Sequence, residues 1–285
     1  MRTITSLLGN SQRLDGGAMF GNAPKAYWTR FAEPDSENRI ALATRCLLLQ
    51  ENGTNTLFET GIGAFFAPDM AKRFGVTETH HVLLESLKGI GLQHTDIDRV
   101  VLSHLHFDHA GGLLSPYDAN APSHLLFPNA SYVVSEGAFS RAISPHPRDR
   151  ASYIPKLTDL LTASGRLQIV REANDLGEGF TVHFSEGHTP GQMLTEIDMP
   201  LGSITFCGDL IPGTPWMHAP ITMGYDRFPE RLIDEKIALL KRTHENNGRL
   251  FFTHDPTTAM ARVGMNQKGR YFAEEAHTCP IVVTQ

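Results

Sequence analysis

Short apolar runs alternate along the chain with segments rich in glycine, proline and polar residues. Apolar runs bounded by such turn residues are typical of strands, whereas apolar residues at the spacing of one helix face are typical of amphipathic helices. The runs predict strands over residues 41–50, 55–61, 99–104, 130–135, 167–170, 180–187, 192–198, 203–209 and, as the last strand, 249–255. The first two would be buried strands joined by a turn.

Helical spacing of apolar residues occurs in three segments. Residues 77–92 have Thr77 as a candidate N-cap, and residues 150–164 form a second candidate helix. The clearest helix is 229–246, which begins with a proline and is followed by Gly248. Two strand-rich halves with helices between them predict a layered α/β architecture.

Length and composition indicate a soluble, well-packed chain of one large domain or two small ones, since 41% of its residues are hydrophobic and 20% are charged. A formal net charge of −6 with no basic block argues against a nucleic-acid partner. No apolar run has the length of a signal peptide or a membrane span, so we expect a cytoplasmic protein that does not bind membranes. Cys46, Cys207 and Cys279 are far apart in the chain, which predicts reduced thiols.

Histidine occurs 14 times, and three copies lie in the run SHLHFDHAGG at 103–112. His104 and His106 end a predicted strand, where a spacing of two places both imidazoles on one side. Asp108 and His109 follow at once, and two glycines then let the backbone pass close to whatever the side chains bind. Imidazole and carboxylate donors suit a divalent metal ion such as zinc.

Four donors within six residues are too many for one tetrahedral ion. The spacing favours two adjacent ions, with the first two histidines on one ion and the Asp–His pair on the other. The alternative is a surface turn that happens to carry histidines. Two ions need further ligands, and a polar residue lies at the end of each of three more predicted strands: His188, Asp209 and His254. Strand ends are where α/β enzymes gather their sites.

These seven residues, in this order and approximate spacing, resemble the ligand set of the metallo-β-lactamase superfamily. The resemblance covers nearly the whole chain and implies a single domain over residues 1–285 with an α/β fold of four layers, the αββα sandwich. It implies two divalent ions per chain, of which the first takes His104, His106 and His188, the second takes Asp108, His109 and His254, and Asp209 bridges both. Zinc is the expected metal, with manganese, iron and cobalt as alternatives.

The segment LDGGAMFGNAPKAYW at 14–28 is similar to the quorum-quenching lactonase branch of the superfamily, which hydrolyses N-acyl-homoserine lactones. The segments RTHENNGRLFFTHDP and MGYDRFPE resemble the same branch. The resemblance predicts a pocket or lid extension within residues 1–40 and a homodimer. Glu59 departs from the family, which usually has Asp there. Pro212 stands where some lactonases have a tyrosine, and Tyr225 is the candidate to replace it.

The best-known zinc β-lactamases have cysteine where Asp209 stands, which disfavours a β-lactam substrate. Two ions about 3.5–4 Å apart share a water molecule and lower its pKa towards neutrality. The resulting hydroxide would attack the lactone carbonyl, with one ion stabilising the oxyanion. Asp108 and Asp209 are the expected catalytic residues, because Asp108 can pass a proton to the leaving alkoxide.

A pocket for an acyl chain should be apolar. Its candidate residues are Met19, Phe20, Phe107, Trp216, Met217 and Tyr225. The same metal ligands would serve a phosphotriester or aryl-ester hydrolase, which only the shape of the pocket separates from a lactonase.

Other classes of protein fit the sequence less well. A diiron redox enzyme of this fold usually has Glu in the histidine run and needs a flavin domain, neither of which is present. A nuclease would need a basic arm, and a non-catalytic relative tends to lose ligands, whereas all seven are present here. The sequence therefore predicts a metal-dependent hydrolase that acts on a small lactone or ester.

Overall fold

A computed structural model describes residues 2–200, 202–278 and 282–284. The described residues fall into two compact units, the first made of 2–12, 43–171 and 282–284 and the second of 13–42, 172–200 and 202–278. The N-terminal segment 1–40 is thus divided between the two units. Its role as a pocket or lid extension stays a prediction, as does the single domain over 1–285.

The described residues form fifteen strands and eight α-helices. The strands are β1 (Arg2–Leu7), β2 (Gln12–Asp15), β3 (Arg39–Leu42), β4 (Cys46–Glu51), β5 (Thr54–Phe58), β6 (Arg99–Val101), β7 (Ser131–Ser135), β8 (Leu167–Val170), β9 (Phe180–Ser185), β10 (Gln192–Ile197), β11 (Ile204–Phe206), β12 (Arg249–Phe251), β13 (Thr258–Met265), β14 (Tyr271–Thr278) and β15 (Val282–Thr284). The helices are α1 (Gly16–Phe20), α2 (Lys25–Trp28), α3 (Pro68–Arg73), α4 (Val82–Gly89), α5 (Phe107–Ala110), α6 (Glu136–Ile143), α7 (Leu157–Ala163) and α8 (Pro229–Glu245).

The first unit is built on a seven-stranded sheet in the order β15-β1-β4-β5-β6-β7-β8. The strands from β5 to β8 run parallel, and the others are antiparallel. Leu57 of β5 and Val100 of β6 lie in one core with Leu83 and Leu87 of α4. Full burial of a leucine or valine side chain stabilises the folded state by about 1.5–3 kcal/mol. This core holds the parallel strands in place beneath the loops that follow them.

The second unit is built on a six-stranded sheet in the order β14-β13-β12-β11-β10-β9. Only β11 and β12 pair in parallel. Because β9 and β11 both run antiparallel to β10, the strands β9, β11 and β12 point in the same direction. Leu232, Leu239 and Leu240 of α8 pack with Leu250 of β12 and Phe252 in the core of this unit.

The predicted strand 41–50 is two strands, because β3 ends at Leu42 and β4 begins at Cys46. The chain passes from the second unit to the first between residues 42 and 43. Residues on both sides of the break are buried, so the apolar run continues through it. The apolar pattern therefore reports burial here but not the end of a strand.

Two predicted helices are shorter than expected. The helix over 77–92 begins only at Val82, because the preceding segment is bound to Ser11, whose backbone N–H and hydroxyl both donate to Glu78. The helix over 150–164 is interrupted at Pro155, which lacks an N–H and disfavours helical geometry in the residue before it. The regular helix there begins at Leu157.

The prediction that 249–255 is the last strand is wrong, because β13, β14 and β15 follow it. β14 is an edge strand of the second sheet, and most of its side chains are partly or fully exposed. It therefore lacks the apolar run by which the other strands were predicted.

Cys46 and Cys207 are buried free thiols, in agreement with the sequence, and burial raises the pKa of the Cys46 thiol well above its usual value. Cys279 lies outside the described residues. None of the helices in the described ranges combines the length and the apolar character needed to cross a membrane.

Candidate metal centre

The histidine run of the first unit follows the end of β6. That strand ends at Val101, and the chain continues through residues 102–106 to α5, which carries Asp108 and His109. β5 lies parallel to β6 and ends at Phe58. Glu59 therefore leaves the sheet at the same edge as the histidine run, because the carboxyl ends of parallel strands meet there.

The four predicted ligands of this run lie close together. His104, His106 and His109 are buried, and the Asp108 side chain is only 13% exposed. His104 Nε2 lies 3.0 Å from His106 Nδ1, and the ring centres of His104 and His109 are 4.1 Å apart. Asp108 Oδ1 lies 3.7 Å from His109 Nε2. This burial excludes the alternative of a surface turn.

Glu59 fixes the orientation of two of these histidines. One carboxylate oxygen, Oε2, accepts from His109 Nδ1 at 2.8 Å. The other, Oε1, accepts a short hydrogen bond from the Ser103 hydroxyl, whose oxygen in turn accepts from His104 Nδ1 at 2.9 Å. With the Nδ1 atoms protonated in this way, the Nε2 lone pairs of His104 and His109 are available to a metal ion.

The backbone of Glu59 has φ 62°, in the left-handed region. A non-glycine residue in this region costs of order 1–3 kcal/mol and persists only where its surroundings hold it. The two hydrogen bonds that the carboxylate accepts provide such a restraint. Glu59 thus combines a strained backbone with a buried carboxylate, and strained residues tend to cluster at active sites and ligand-binding sites.

The two glycines after the histidine run lie against a neighbouring stretch of backbone. A Cβ atom on Gly112 would lie 2.0 Å from the Thr60 carbonyl oxygen, and one on Gly111 would lie 2.3 Å from the Ile62 carbonyl oxygen. The glycines therefore allow the backbone beyond α5 to pass the backbone beyond β5.

Three predicted ligands of the second unit follow strands that point the same way. His188 comes after β9, Asp209 after β11 and His254 after β12. Their strand ends reach the same edge of the sheet, and all three side chains are buried. The sequence prediction placed each of them at a strand end, and the structure confirms those positions along the chain.

The Asp209 carboxylate lies between the two histidines of this unit. Its Oδ2 atom is 3.3 Å from His188 Nε2, and its Oδ1 atom is 3.1 Å from His254 Nε2. Each oxygen therefore faces a different imidazole. A carboxylate arranged in this way can serve two neighbouring metal ions, one through each oxygen.

His188 is oriented by a second carboxylate, that of Asp226. Asp226 Oδ1 accepts from His188 Nδ1 at 2.9 Å, and Asp226 Oδ2 accepts from the Met223 N–H at 2.6 Å. Both side chains are buried. The bond to Nδ1 leaves His188 Nε2 to face Asp209, as a metal-ligating histidine would.

The sequence analysis missed Ser103 and Asp226, and it left the role of Glu59 open. Ser103 directly precedes the histidine run, so its position was a usable signal. Asp226 lies 38 residues from its partner His188. No spacing rule joins residues so far apart, and only the fold of the second unit brings them together.

Four of the predicted pocket residues lie in the core of the second unit. Met19, Phe20, Trp216 and Met217 are all at most 3% exposed. The Phe20 ring stacks on Trp216 with ring centres 4.6 Å apart, and Trp216 Nε1 donates to the Met19 carbonyl oxygen at 2.9 Å. Their proposed contact with a substrate stays a prediction.

The other two pocket candidates differ from each other in exposure. Phe107, in the first unit, is 8% exposed and packs against Phe66 and Phe74, with ring centres 5.4 and 4.7 Å away. Tyr225, in the second unit, is 36% exposed. Its side chain is therefore accessible, and its role towards a substrate also stays a prediction.

The family model of the metallo-beta-lactamase superfamily matches residues 39–254, a range that includes all seven predicted ligands and Glu59. The chain belongs to the metallo-beta-lactamase superfamily. The resemblance inferred from the histidine run is confirmed, and the chain is a member of a hydrolase superfamily with clustered His, Asp and Glu side chains suited to metal binding.

Within the metallo-beta-lactamase superfamily, the chain is similar to curated N-acyl homoserine lactonases named AttM. The protein from Agrobacterium fabrum is 28% identical over 123 residues, which are 41% of this chain and 42% of the relative. The protein from Azorhizobium caulinodans is 30% identical over 120 residues, which are 40% of this chain and 41% of the relative. The chain thus spans less than half the length of these two relatives, and the likeness to the lactonase branch is confirmed.

Solved structures of the metallo-beta-lactamase fold resemble the chain along nearly its full length. A probable metal-dependent hydrolase from Staphylococcus aureus has a TM-score of 0.85 and 27% identity, covering 97% of this chain and 98% of its own. AidC, described as a dizinc quorum-quenching lactonase in complex with its product, has a TM-score of 0.77 and 22% identity, covering 96% and 95%. The predicted fold class is confirmed.

Proposed function

We propose that this protein is a dinuclear metal-dependent hydrolase that opens the lactone ring of N-acyl-homoserine lactones. Its likeness to the AttM lactonases supports this substrate class. The observation that carries the proposal is the Asp209 carboxylate, whose two oxygens face two different buried imidazoles. That arrangement fits a ligand shared by two ions.

The ligand set we propose follows the order of the superfamily. The first ion takes His104, His106 and His188, the second takes Asp108, His109 and His254, and Asp209 serves both. In the second unit, this assignment agrees with Asp209 facing one histidine of each set. Zinc is the proposed metal, because neutral imidazoles and carboxylates are its usual oxygen and nitrogen ligands.

The protonation pattern of the residues fits bound metal ions. His109 and His188 each donate from Nδ1 to a buried carboxylate, and His104 donates from Nδ1 to Ser103. Metal-ligating histidines commonly donate their other ring N–H to a carboxylate or another acceptor. Each of these imidazoles therefore has Nε2 directed away from its anchoring hydrogen bond, as a ligand needs.

When bound, a pair of divalent ions supplies an activated water nucleophile and positive charge for a developing oxyanion. The protein's own residues then have two tasks. Glu59 and Asp226 hold the imidazoles in their ligating orientation. We assign to Asp108, whose side chain is 13% exposed, the role of accepting the proton that the attacking water would lose and passing it to the alkoxide of the opened ring.

The proposal is tested by proton release when N-acyl-homoserine lactones of short and long acyl chain are added to metal-reconstituted protein. Asp209→Ala is the test variant, and Asp234→Ala, at an exposed position on α8, is the matched control. We expect ring opening by the wild type and by Asp234→Ala, and none by Asp209→Ala. The dependence on chain length would locate the acyl pocket.

A protein that holds two metal ions and leaves every lactone intact would overturn the lactonase proposal. Phosphotriesters and aryl esters would then be assayed with the same variants, because the same ligands would serve them. The homodimer, the absence of a nucleic-acid or membrane partner and the cytoplasmic location were expected from the sequence, and they stay predictions.

A further inference from the structure

A lysine is fully buried in the second unit, on α8, the helix that packs against the residues just before His188. Lys236 of α8 is 0% exposed. Its Nζ atom donates to the Ile221 carbonyl oxygen at 2.5 Å. Lysine is almost never fully buried without a partner, because removing its charge from water is costly. Apolar packing alone does not explain why a lysine occupies this buried position.

The loop that Lys236 contacts carries the residue that orients His188. From Ile221 the chain runs to Asp226, whose carboxylate accepts from His188 Nδ1 and closes the loop by accepting from the Met223 N–H. The negative charge of Asp226 also acts on Lys236, since it opposes the fall in the pKa of the lysine that burial causes. The lysine is thus linked to the His188 ring through one loop and one carboxylate.

The residue next to Lys236 holds the other side of His188. The Glu235 carboxylate accepts from the Ser185 hydroxyl at 2.6 Å and from the N–H groups of Glu186 and Gly187, both at 3.0 Å. A Cβ atom on Gly187 would lie 2.4 Å from Leu232 Cα, so the backbone just before His188 is in close contact with α8. Two consecutive residues of α8 therefore hold both sides of His188. Glu235 binds the backbone before it, and Lys236 binds the loop whose Asp226 orients the His188 ring.

We propose that Lys236 is a positioning residue which, through the Ile221–Asp226 loop, holds the His188 imidazole in the orientation needed to bind the first metal ion. The inference rests on the proposed function, because it assigns His188 to a metal. Lys236 is not one of the proposed metal ligands. It acts by anchoring the Ile221 carbonyl at the start of the loop that carries Asp226.

If Lys236 had only a structural role, its replacement by an apolar residue would affect stability but not metal binding. Methionine has a similar length and no charge to bury, and an apolar replacement for a buried charge is often neutral or stabilising. Lys236→Met should therefore fold with unchanged or greater stability. If the lysine also positions His188, the same variant should lose metal affinity, so the two effects separate.

The test measures zinc affinity by competition with a chelator in wild type, Lys236→Met and the matched control Lys241→Met. Lys241 lies on the same helix with a side chain that is 65% exposed. We expect a loss of about 10- to 100-fold in Lys236→Met, the usual effect of removing an outer partner of a metal ligand. We expect no change in Lys241→Met and no fall in the urea midpoint of Lys236→Met.

A second readout follows the His188 ring without metal. In the metal-free wild type, a long-range nitrogen–proton NMR spectrum should show His188 protonated at Nδ1, and Lys236→Met should show a mixture of tautomers. If Lys236 acts through Asp226, the double variant with Asp226→Asn should bind zinc as weakly as Asp226→Asn alone. Additive losses would overturn this route. If Lys236→Met does not fold, Lys236→Leu gives the same test, since it also removes the donor to the Ile221 carbonyl.

The outcomes distinguish this inference from the proposed function. Wild-type zinc affinity and an unchanged His188 tautomer in a folded Lys236→Met variant would overturn the positioning role, even if the protein hydrolyses lactones. Weakened zinc binding in that variant would support the role, even if the wild type proves inactive towards every lactone.

Discussion

At the scale of single residues, buried carboxylates decide which nitrogen of each imidazole is available. Glu59 accepts from His109 and, through Ser103, orients His104, whereas Asp226 accepts from His188. An imidazole with no such partner could present either nitrogen, and a metal site built from it would be poorly defined. The two carboxylates therefore fix the site before any metal binds.

Glu59→Gln tests this role. A glutamine side chain has only one oxygen, so it cannot accept from both Ser103 and His109 as the carboxylate does. We expect zinc affinity to fall by about 10- to 100-fold and the free energy of unfolding to fall by about 1–3 kcal/mol. Glu51→Gln, on the neighbouring strand β4, is the control. Zinc affinity equal to that of the wild type would contradict the role given to Glu59.

Lys236 should make stability depend on pH in the metal-free protein. Burial lowers the pKa of this lysine from 10.5 to about 7. Between these values the unfolded chain holds the proton and the folded chain does not, so folding becomes more favourable as the pH rises from about 7 to about 10.5. A shift of this size corresponds to an effect of order 5 kcal/mol.

Urea unfolding of wild type and Lys236→Met at about pH 7 and about pH 10 measures this effect. The variant should be the more stable of the two at the lower pH, and this advantage should shrink as the pH rises. A constant difference between the two proteins would show that the lysine titrates with the same pKa in the folded and unfolded chain.

At the scale of elements, the ends of strands that point the same way gather the polar residues of each unit. The apolar runs predicted most strands, and the polar residues directly after them proved to be buried and clustered. His104 and Asp209 were identified in this way because a strand end is visible in the sequence. Asp226 and Lys236 were missed, because Asp226 reaches His188 through the fold of its own loop and Lys236 through the packing of α8 on that loop, and neither leaves a periodic signal.

The contact between α8 and the backbone just before His188 is tested by Gly187→Ala. A Cβ atom there would lie 2.4 Å from Leu232 Cα, so this backbone must move away from the helix. We expect a loss of about 1–3 kcal/mol in the free energy of unfolding, together with weaker zinc binding. Gly89→Ala, at the last residue of α4, meets nothing within 4 Å and should be stabilising by about 0.4–1 kcal/mol, because it restricts the unfolded chain. Equal effects of the two substitutions on zinc binding would contradict this account.

At the scale of the whole molecule, each of the two units is discontinuous in sequence and carries its own proposed ligands. Four ligands belong to residues 43–171, and three belong to residues 172–278. Each unit orders its own ligands by hydrogen bonds that need no metal, through Glu59 in the first and Asp226 in the second. Metal binding therefore adds to a fold that already holds the imidazoles in place.

Metal removal should lower thermal stability without unfolding the protein. A ligand that binds only the folded state, at about a thousand times its Kd, contributes about 4 kcal/mol to the free energy of unfolding. Calorimetry of zinc-loaded and chelator-treated protein should show this difference as a lower Tm. His109→Ala in the first unit and His188→Ala in the second should each lose part of the zinc-dependent rise, and Asp209→Ala should lose most of it, because it alone is proposed to serve both ions. A full rise in Asp209→Ala would remove the dinuclear centre from the proposal while leaving the fold unaffected.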